Sequence, residues 1–381
     1  MPDAQSLSAD ALRRQEFPLR LLVWYRSVKR DLPWRKTRDP YAIWVSEMML
    51  QQTQVATVIP YWNRWLERFP TISDLANAPL EDVLKQWQGL GYYARARNMH
   101  KAAQVIVSRH GGVFPTRFED VLALPGIGKY TAGAVCSIAY DQNVPLVDAN
   151  VIRVLCRIFG IYGDPKSLDV QQQLWNLAGE LIPGGEAADF NQAMMELGAL
   201  VCIKKPRCEA CPIQSVCAAY ATGNPESLPQ FAPKAAFTEQ IDVCAVISHL
   251  SDDSRILFIR RPEGGLWGGL WELPRITLVD NETPLQGAER AARDRAGLSV
   301  RILSETPVAK LRHGVTTRKI ALLALSCIPV DDAPPTSENS TESDAFAWLS
   351  PEETDQYPLS SPQAKLMAQL REERTQLSLF E

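Results

Sequence analysis

The most constraining feature of this chain is a Gly-Ile-Gly turn, Gly126–Gly128, between two short helical patterns. It lies within LPGIGKYTAGAVCSIAYDQNVPLVDAN, residues 124–150, in which Asp148 ends an apolar run. A tight glycine turn that opens a helix points backbone N–H groups outward, and these groups suit one phosphate. The stretch therefore predicts a helical hairpin that binds phosphate, with a carboxylate placed behind it to act on the neighbouring sugar.

Length and composition indicate a two-domain globular protein. The chain has 381 residues, of which 46% are hydrophobic and 22% charged, which is ordinary for such proteins. No apolar run is long enough to span a bilayer, and residues 1–16 lack a signal-peptide core. We therefore expect a flexible N-terminus and a cytoplasmic protein without membrane contact. Eight cysteines in that setting predict thiols or metal ligands rather than disulfides.

The formal net charge of −4 argues against a purely electrostatic nucleic-acid binder. The charge is unevenly distributed, however, because the acidic excess lies in the C-terminal part. In the first 230 residues the bases form runs, which are compatible with focused phosphate contacts. The runs are Arg26, Lys29, Arg30, Arg35, Lys36 and Arg38, then Arg95, Arg97 and Lys101, then Lys204, Lys205 and Arg207.

LPGIGKYTAGA followed by VDANVIRVL resembles the helix-hairpin-helix of the base-excision DNA glycosylases, the superfamily of endonuclease III and the adenine DNA glycosylases. The resemblance implies an all-α glycosylase domain over residues 17–222, with the hairpin at 124–134. Gly126 and Gly128 would approach DNA there, and Lys129 would contact a phosphate. Asp148 would face the sugar cation that forms when a base departs, and Asn150 would help to orient the site.

Glu47 is the one acid among apolar residues in RDLPWRKTRDPYAIWVSEMMLQQTQV. Burial raises a carboxyl pKa, and a Glu that is protonated at neutral pH can serve as a general acid. The alternative is a Glu paired with an Arg in the core. The stretch resembles the N-terminal motif of the adenine DNA glycosylases, in which the matching Glu protonates adenine N7. By that match the adenine pocket would be lined by Arg30, Trp34 and Leu50, and Gln52 would wedge into the duplex.

Tyr92, in GLGYYARARNMHKAAQ, matches the family's intercalating Tyr, although an aromatic residue near a helix start is often part of a core. The identity of residue 130 distinguishes two reactions. Endonuclease III carries a Lys here, whose amine attacks the sugar and cleaves the strand. Tyr130 cannot form a Schiff base, so the resemblance implies base removal without an efficient lyase step, with Tyr130 shielding the reacting sugar.

Four cysteines lie within one basic segment of sixteen residues. A metal centre explains this spacing better than chance does. Zinc is the chemical competitor, but zinc sites usually pair two Cys-x-x-Cys units and only one is present. The arrangement resembles the [4Fe–4S] loop that closes the glycosylase domain, here at 202–217. Its first gap is five residues, one fewer than in the family pattern. The implied cluster ligands are Cys202, Cys208, Cys211 and Cys217.

The pattern changes after a proline-rich linker at 223–239. Strand-like runs and a helix at 286–296 predict a mixed α/β domain over 240–360, and residues 361–381 form a last helix and tail. PEGGLWGGLWELP resembles the Nudix-like domain of adenine DNA glycosylases. Ala291 and Arg295 replace acids of the hydrolytic helix and only Asp294 remains, so the implied role is recognition of 8-oxoguanine, with Thr316 at the position of the family's recognition Ser.

The resemblance as a whole implies a monofunctional, monomeric and nucleoid-associated DNA glycosylase that excises adenine opposite 8-oxoguanine or guanine in double-stranded DNA. The alternatives are an endonuclease III-like pyrimidine glycosylase with lyase activity, and a non-catalytic DNA-binding module. Tyr130 argues against the first alternative, and the presence of both Glu47 and Asp148 argues against the second. The pentapeptide Gln376–Phe380 resembles the motif with which DNA-processing proteins bind the sliding clamp, although such tails often pack on their own domain.

Overall fold

The computed structural model describes residues 8–233, 236–262, 265, 267–336 and 345–378, and for 373–378 only the backbone. The chain divides into two compact units by its internal contacts. The first contains residues 1–77 and 98–233, and the second contains residues 78–97 together with 234–381. The clamp-like pentapeptide at 376–380 lies outside the residues whose side chains are described.

Helices make up the regular structure of the described part of the first unit. Three helix starts determine the geometry of its centre. Asp39 caps one helix, with a proline following it, Gly128 caps a second, and Asp148 caps a third by accepting a hydrogen bond from the Val151 N–H. The helices up to the linker are α1 (Ala9–Val28), α2 (Pro40–Leu50), α3 (Val55–Arg68), α4 (Ile72–Asn77), α5 (Leu80–Trp87), α6 (Ala94–His110), α7 (Phe118–Leu122), α8 (Lys129–Tyr140), α9 (Ala149–Phe159), α10 (Leu168–Glu180), α11 (Ala187–Leu200) and α12 (Ala218–Ala221).

The helices α2, α8, α9 and α11 form the frame of the candidate site, because α2 packs on α8 and both α8 and α9 pack on α11. Two glycines allow these elements to approach closely. A β-carbon at Gly133 would overlap the Pro145 carbonyl oxygen, and one at Gly198 would lie 3.0 Å from the Asn150 Cα. Small residues at these crossings therefore bring the segment that ends in Asp148 against α8 and α11.

The second unit contains two sheets and two long helices. One sheet has the strand order β4-β1-β7-β5, with β6 also paired to β7, and the other has the order β3-β2-β8. The pair β1–β7 is parallel, from Thr238 opposite Arg318 to Ile247 opposite Cys327. The elements are β1 (Thr238–Ile247), β2 (Ile256–Arg260), β3 (Trp271–Glu272), β4 (Arg275–Thr277), α13 (Pro284–Ala296), β5 (Val300–Ile302), β6 (Ala309–Val315), β7 (Arg318–Pro329), β8 (Phe346–Leu349) and α14 (Ser361–Ser378).

Alternation along β1 creates a core on each of its faces. Val243, Ala245 and Ile247 pack with the alanines of α13, whereas Cys244 and Val246 pack with apolar residues of α14. The predicted helical domain followed by an α/β domain is therefore what the fold shows. The segment LWELPRI, residues 270–276, divides at Leu273-Pro274 into β3 and β4, which belong to different sheets.

Candidate active site

Glu47 lies near the end of α2 with only 4% of its surface exposed. Its Oε2 accepts a hydrogen bond of 2.5 Å from the hydroxyl of Tyr130, the second residue of α8. The same hydroxyl lies 3.4 Å from the Met195 sulfur. The alternative in which Glu47 pairs with an Arg in the core is not what the structure shows, because the hydrogen-bond partner of this acid is a phenol.

Burial raises the pKa of Glu47 to about 7, and the nearby charge of Asp148 adds to this rise. The hydrogen bond from Tyr130 and the charge of Arg35 oppose it without cancelling it. Burial also raises the pKa of Tyr130 well above its usual range, so the phenol stays neutral. Near neutral pH, Glu47 is therefore protonated in a substantial fraction of molecules and can donate a proton.

Asp148 is tied down by the start of α9. Its Oδ1 accepts from the Val151 N–H at 2.7 Å, and its Oδ2 accepts from the Asn150 side-chain amide at 3.0 Å. Burial raises the pKa of Asp148, whereas these hydrogen bonds to the charged form lower it. The donors thus favour the carboxylate, and the mutual repulsion with Glu47 favours one protonated and one ionised acid.

One cavity of about 220 Å³ contains both acids. Arg30, Trp34 and Leu50, which were predicted to line a base pocket, belong to its wall. The structure thus brings together seven of the predicted residues from distant parts of the sequence. They are Arg30, Trp34, Glu47, Leu50, Tyr130, Asp148 and Asn150.

The sequence analysis missed a second buried acid in this wall, Glu196 of α11. Arg30 donates to it from its backbone N–H at 3.1 Å and its side chain at 2.6 Å, and Arg35 donates at 2.8 Å. Burial alone would raise the pKa of Glu196, but the two guanidinium groups lower it to about 2. The available signal was the one used for Glu47, a single acid within an apolar helical run. Because Arg30 and Arg35 are both paired with Glu196, Arg30 forms part of a rigid wall of the cavity.

The hairpin turn is exposed. Its two glycines, Gly126 and Gly128, differ in whether the fold would accept a side chain there. Gly126 has a φ of +74°, and a β-carbon there would overlap the Asn98 side chain. Gly128 has an ordinary φ of −97°, and a β-carbon there would meet no atom of the described residues within 4 Å. The adjacent Lys129 ammonium lies 5.8 Å from the centre of the Trp175 ring. The fold therefore requires a glycine at 126 but not at 128.

Three predicted DNA contacts lie in exposed turns with left-handed backbone. Gln52, with a φ of +58°, follows α2 and is not among the residues that line the cavity. Tyr92 (φ +47°) and Thr316 (φ +52°) both belong to the second unit. The Thr316 hydroxyl, at the β6–β7 turn, donates to the Val315 carbonyl at 2.7 Å. Left-handed non-glycine residues are strained and occur often at binding loops.

The four cysteines of the 202–217 loop are free thiols that line one cavity. Arg157 of α9 is buried there, and it donates to the carbonyls of Ile203, Lys204 and Leu228 and approaches the Cys202 sulfur at 3.5 Å. Among the described residues its hydrogen bonds include none to a carboxylate. A buried cation of this kind would offset the negative charge of a thiolate-bound cluster. The four thiols and the buried cation suit an iron–sulfur cluster in residue type and charge, although among the described residues no three or more His, Cys, Asp or Glu side chains are arranged to hold a metal ion.

The helix α13 places the residues that stand at the Nudix acid positions in three different environments. Ala291 is buried in the core that faces β1, and Arg295 lies 3.8 Å from the buried Glu272. Asp294 remains exposed beside Arg293. This face of α13 thus presents an arginine where a metal-binding acid would be needed.

Among the described residues, no helix combines the length and apolar character that a membrane crossing requires.

Two known families match this chain, one in its N-terminal part and one in its C-terminal part. Residues 45–180 match the family described as HhH-GPD superfamily base excision DNA repair protein, and residues 244–369 match the NUDIX domain family. Among solved structures, a thermostable thymine-DNA glycosylase aligns with a TM-score of 0.53 and 33% sequence identity. That alignment covers 56% of this chain and all of that protein.

Curated relatives extend the similarity over most of the chain. The adenine DNA glycosylase of Mus musculus is 39% identical over 384 residues, which covers 86% of this chain and 74% of that protein. The enzyme of the same name from Homo sapiens is 38% identical and covers 87% and 70%, respectively. A third, from Buchnera aphidicola (strain APS), is 37% identical and covers 67% and 73%.

Proposed function

Because this chain belongs to the adenine DNA glycosylase family and hydrolyses the N-glycosidic bond of adenine in DNA, we propose that its substrate is adenine mispaired with 8-oxoguanine or guanine. The observation that carries the proposal is one cavity lined by both Glu47, whose pKa burial raises to about 7, and Asp148, whose side chain accepts hydrogen bonds from Val151 and Asn150. An acid and an anion on one cavity suit departure of a base from a sugar that becomes cationic. The lesion-recognition role rests on the Nudix-like domain and on Thr316 in its exposed turn.

The proposed reaction uses the two acids in different roles. The adenine enters the cavity lined by Arg30, Trp34 and Leu50. The Glu47 carboxyl then gives its proton to adenine N7, so that the base leaves as a neutral molecule. The sugar left behind carries positive charge, which the Asp148 carboxylate stabilises until water adds to it. Asn150 holds that carboxylate in place. The proton that the water loses returns to the Glu47 carboxylate, which lines the same cavity.

Tyr130 supports base removal without strand cleavage. Its phenol is neutral and bonded to Glu47, and it has no amine that could attack the sugar. The proposed DNA contacts are the wedge residues Gln52 and Tyr92, and the hairpin with Gly126, Gly128 and Lys129. We propose that the protein works on double-stranded DNA as a monomer.

A product assay tests this function. The protein is incubated with duplexes that carry adenine opposite 8-oxoguanine, adenine opposite guanine, or an oxidised pyrimidine, and strands are analysed with and without alkali. We expect free adenine with or without alkali. We expect strand breaks only on the adenine strand and only after alkali. Breaks without alkali, or release of the oxidised pyrimidine, would instead support the endonuclease III-like alternative.

A glycine pair tests the hairpin's contact with DNA. Gly128→Ala should change the free energy of unfolding by less than about 1 kcal/mol, because its backbone and surroundings tolerate a methyl group. It should weaken DNA binding about ten- to a hundredfold, because the added methyl group would hold a phosphate away from the backbone N–H groups of the turn and so weaken a charge-assisted hydrogen bond. Gly126→Ala, the matched variant, should instead destabilise the fold by about 1–3 kcal/mol, because its φ is positive. Equal DNA affinity of Gly128→Ala and the unmodified protein would contradict the contact.

We propose that Cys202, Cys208, Cys211 and Cys217 hold a [4Fe–4S] cluster, which would brace the basic loop for DNA docking. When bound, the cluster supplies a rigid link between the four thiolates. Analysis of the purified protein should find about four iron and four sulfide per chain and a thiolate–iron absorption band, and Cys208→Ser should lose the band. One zinc per chain without sulfide would overturn the assignment.

We also propose that Gln376–Phe380 tethers the protein to a sliding clamp. Its support is the pentapeptide sequence, of which Gln376–Ser378 are the last residues of α14. Deletion of residues 376–381 should abolish clamp binding in a pull-down with purified clamp while adenine excision continues at the same rate. Undiminished clamp affinity of the shortened chain would refute the tether.

A further inference from the structure

The segment 78–97 lies in sequence between the two parts of the first unit. It nevertheless packs with the strand-rich part of the second unit. Three hydrogen bonds between residues that the structure describes connect the segment to that part. The Tyr93 hydroxyl donates to the Leu359 carbonyl at 2.7 Å, and the Arg97 guanidinium donates to the Gly268 carbonyl at 2.5 Å. The Trp271 indole donates to Glu81 at 3.3 Å. The helix α5 and the loop after it are thus anchored to the loop before β3, to β3 itself and to the segment before α14.

The loop that follows α5 has a tightly constrained backbone. Gly89, Gly91 and Tyr92 have φ values of +102°, +69° and +47°, and the Trp87 indole donates to the Gly91 carbonyl at 2.9 Å. The result is that adjacent tyrosines point in different directions. Tyr93 is 2% exposed and Tyr92 is 51% exposed.

The Arg95 side chain contacts the exposed Tyr92 ring. Its guanidinium donates to the Leu90 and Gly91 carbonyls at 3.0 and 3.1 Å. The same group lies 5.1 Å from the centre of the Trp87 ring and 5.7 Å from that of Tyr92, within the range of cation–π contacts. The Tyr92 ring is therefore held in place before any DNA binds.

We infer that the strand-rich part of the second unit positions the Tyr92 wedge, with Tyr93 and Arg97 as positioning residues. This inference rests on the proposed function, in which Tyr92 enters the duplex when adenine flips out. A side chain that is already ordered gives up less conformational freedom on insertion, so a larger share of its contact energy supports flipping. The part of the chain that carries Thr316 thereby also holds the wedge, which links reading of the opposite base to extrusion of adenine.

The test measures flipping separately from excision. The full-length protein is mixed with a duplex in which 2-aminopurine neighbours an adenine opposite 8-oxoguanine, and the rise in fluorescence reports unstacking. Tyr93→Phe removes only the hydroxyl that bonds Leu359, and it should lower the flipping equilibrium and the excision rate about three- to tenfold. Excision of an adenine opposite an abasic site, which costs little to flip, should change less than about twofold.

Tyr140→Phe is the matched control, because its hydroxyl also donates to a backbone carbonyl, that of Phe114 at 3.2 Å. It should leave flipping unchanged. Arg97→Met, which keeps the aliphatic stem, provides a second test if thermal melting shows that Tyr93→Phe is unfolded. Tyr92→Ala examines the wedge itself.

The outcomes separate the two ideas. If Tyr92→Ala lowers flipping while Tyr93→Phe and Arg97→Met flip like the unmodified protein, the positioning role is wrong and the wedge stands. If Tyr92→Ala flips adenine normally, the proposed wedge fails, and the positioning role fails with it. Lower flipping in all three variants, with a normal Tyr140→Phe, supports both.

Discussion

Glu47→Gln should reduce the rate of adenine excision between about a hundredfold and ten-thousandfold, the usual contribution of a general acid. Glutamine has nearly the same shape and can still accept the Tyr130 hydrogen bond, but it has no proton to transfer. The loss should therefore appear in single-turnover excision while the thermal melting temperature changes little. Full activity of Glu47→Gln would contradict the role of Glu47 as the acid.

The pH dependence of the unmodified enzyme follows from the same group. Burial raises its pKa to about 7, and in the proposed mechanism the protonated form is the active one. Excision should therefore be fastest below pH 7 and should fall as the pH rises through that value. Tyr130→Phe removes a hydrogen bond that lowers the pKa of Glu47, so the falling limb should move to higher pH. A limb that stayed in place in this variant would show that another group titrates.

Asp148→Asn should lower excision by about a thousandfold. A unit charge about 4 Å from a sugar cation, at an effective dielectric near 20, contributes roughly 4 kcal/mol, and each 1.36 kcal/mol is about tenfold in rate. The amide keeps the shape of the carboxylate but not its charge. Single-turnover excision over hours, compared with DNA affinity measured separately, would show whether the loss lies in the chemical step.

The structure offers a matched control for this variant. Asp148 caps α9 and Asp39 caps α2, where it accepts from the Tyr41 and Ala42 N–H groups at 3.1 and 3.2 Å. Asn and Asp are about equally good N-caps, so both Asp→Asn changes should leave the fold stable. Asp39→Asn should keep its activity. A similar loss in both variants would assign the effect to helix capping rather than to the charge at 148.

Local patterns in the sequence identified the elements that carry the chemistry. The glycine turn, the apolar run around Glu47 and the cysteine spacing are each contained within a short stretch, and they predicted a hairpin helix, a buried acid and a metal loop. Glu196 carried the same local signal as Glu47 and was missed. Its two arginines lie 166 and 161 residues away, and no periodicity connects them.

The sequence by itself therefore determined which residues could act, because residue type and local burial follow from helical spacing and composition. Only the tertiary structure decided how they act. Burial raises the pKa of Glu47 to about 7, and the hydrogen bond from Tyr130, 83 positions away, offsets only part of that rise, whereas Arg30 and Arg35 lower the pKa of Glu196 to about 2. The two acids have the same chemistry and similar local patterns. Their pKa values differ because the phenol beside Glu47 offsets little of the effect of burial, whereas the two guanidinium groups beside Glu196 more than offset it. Such partners are set by packing between segments that are distant in sequence.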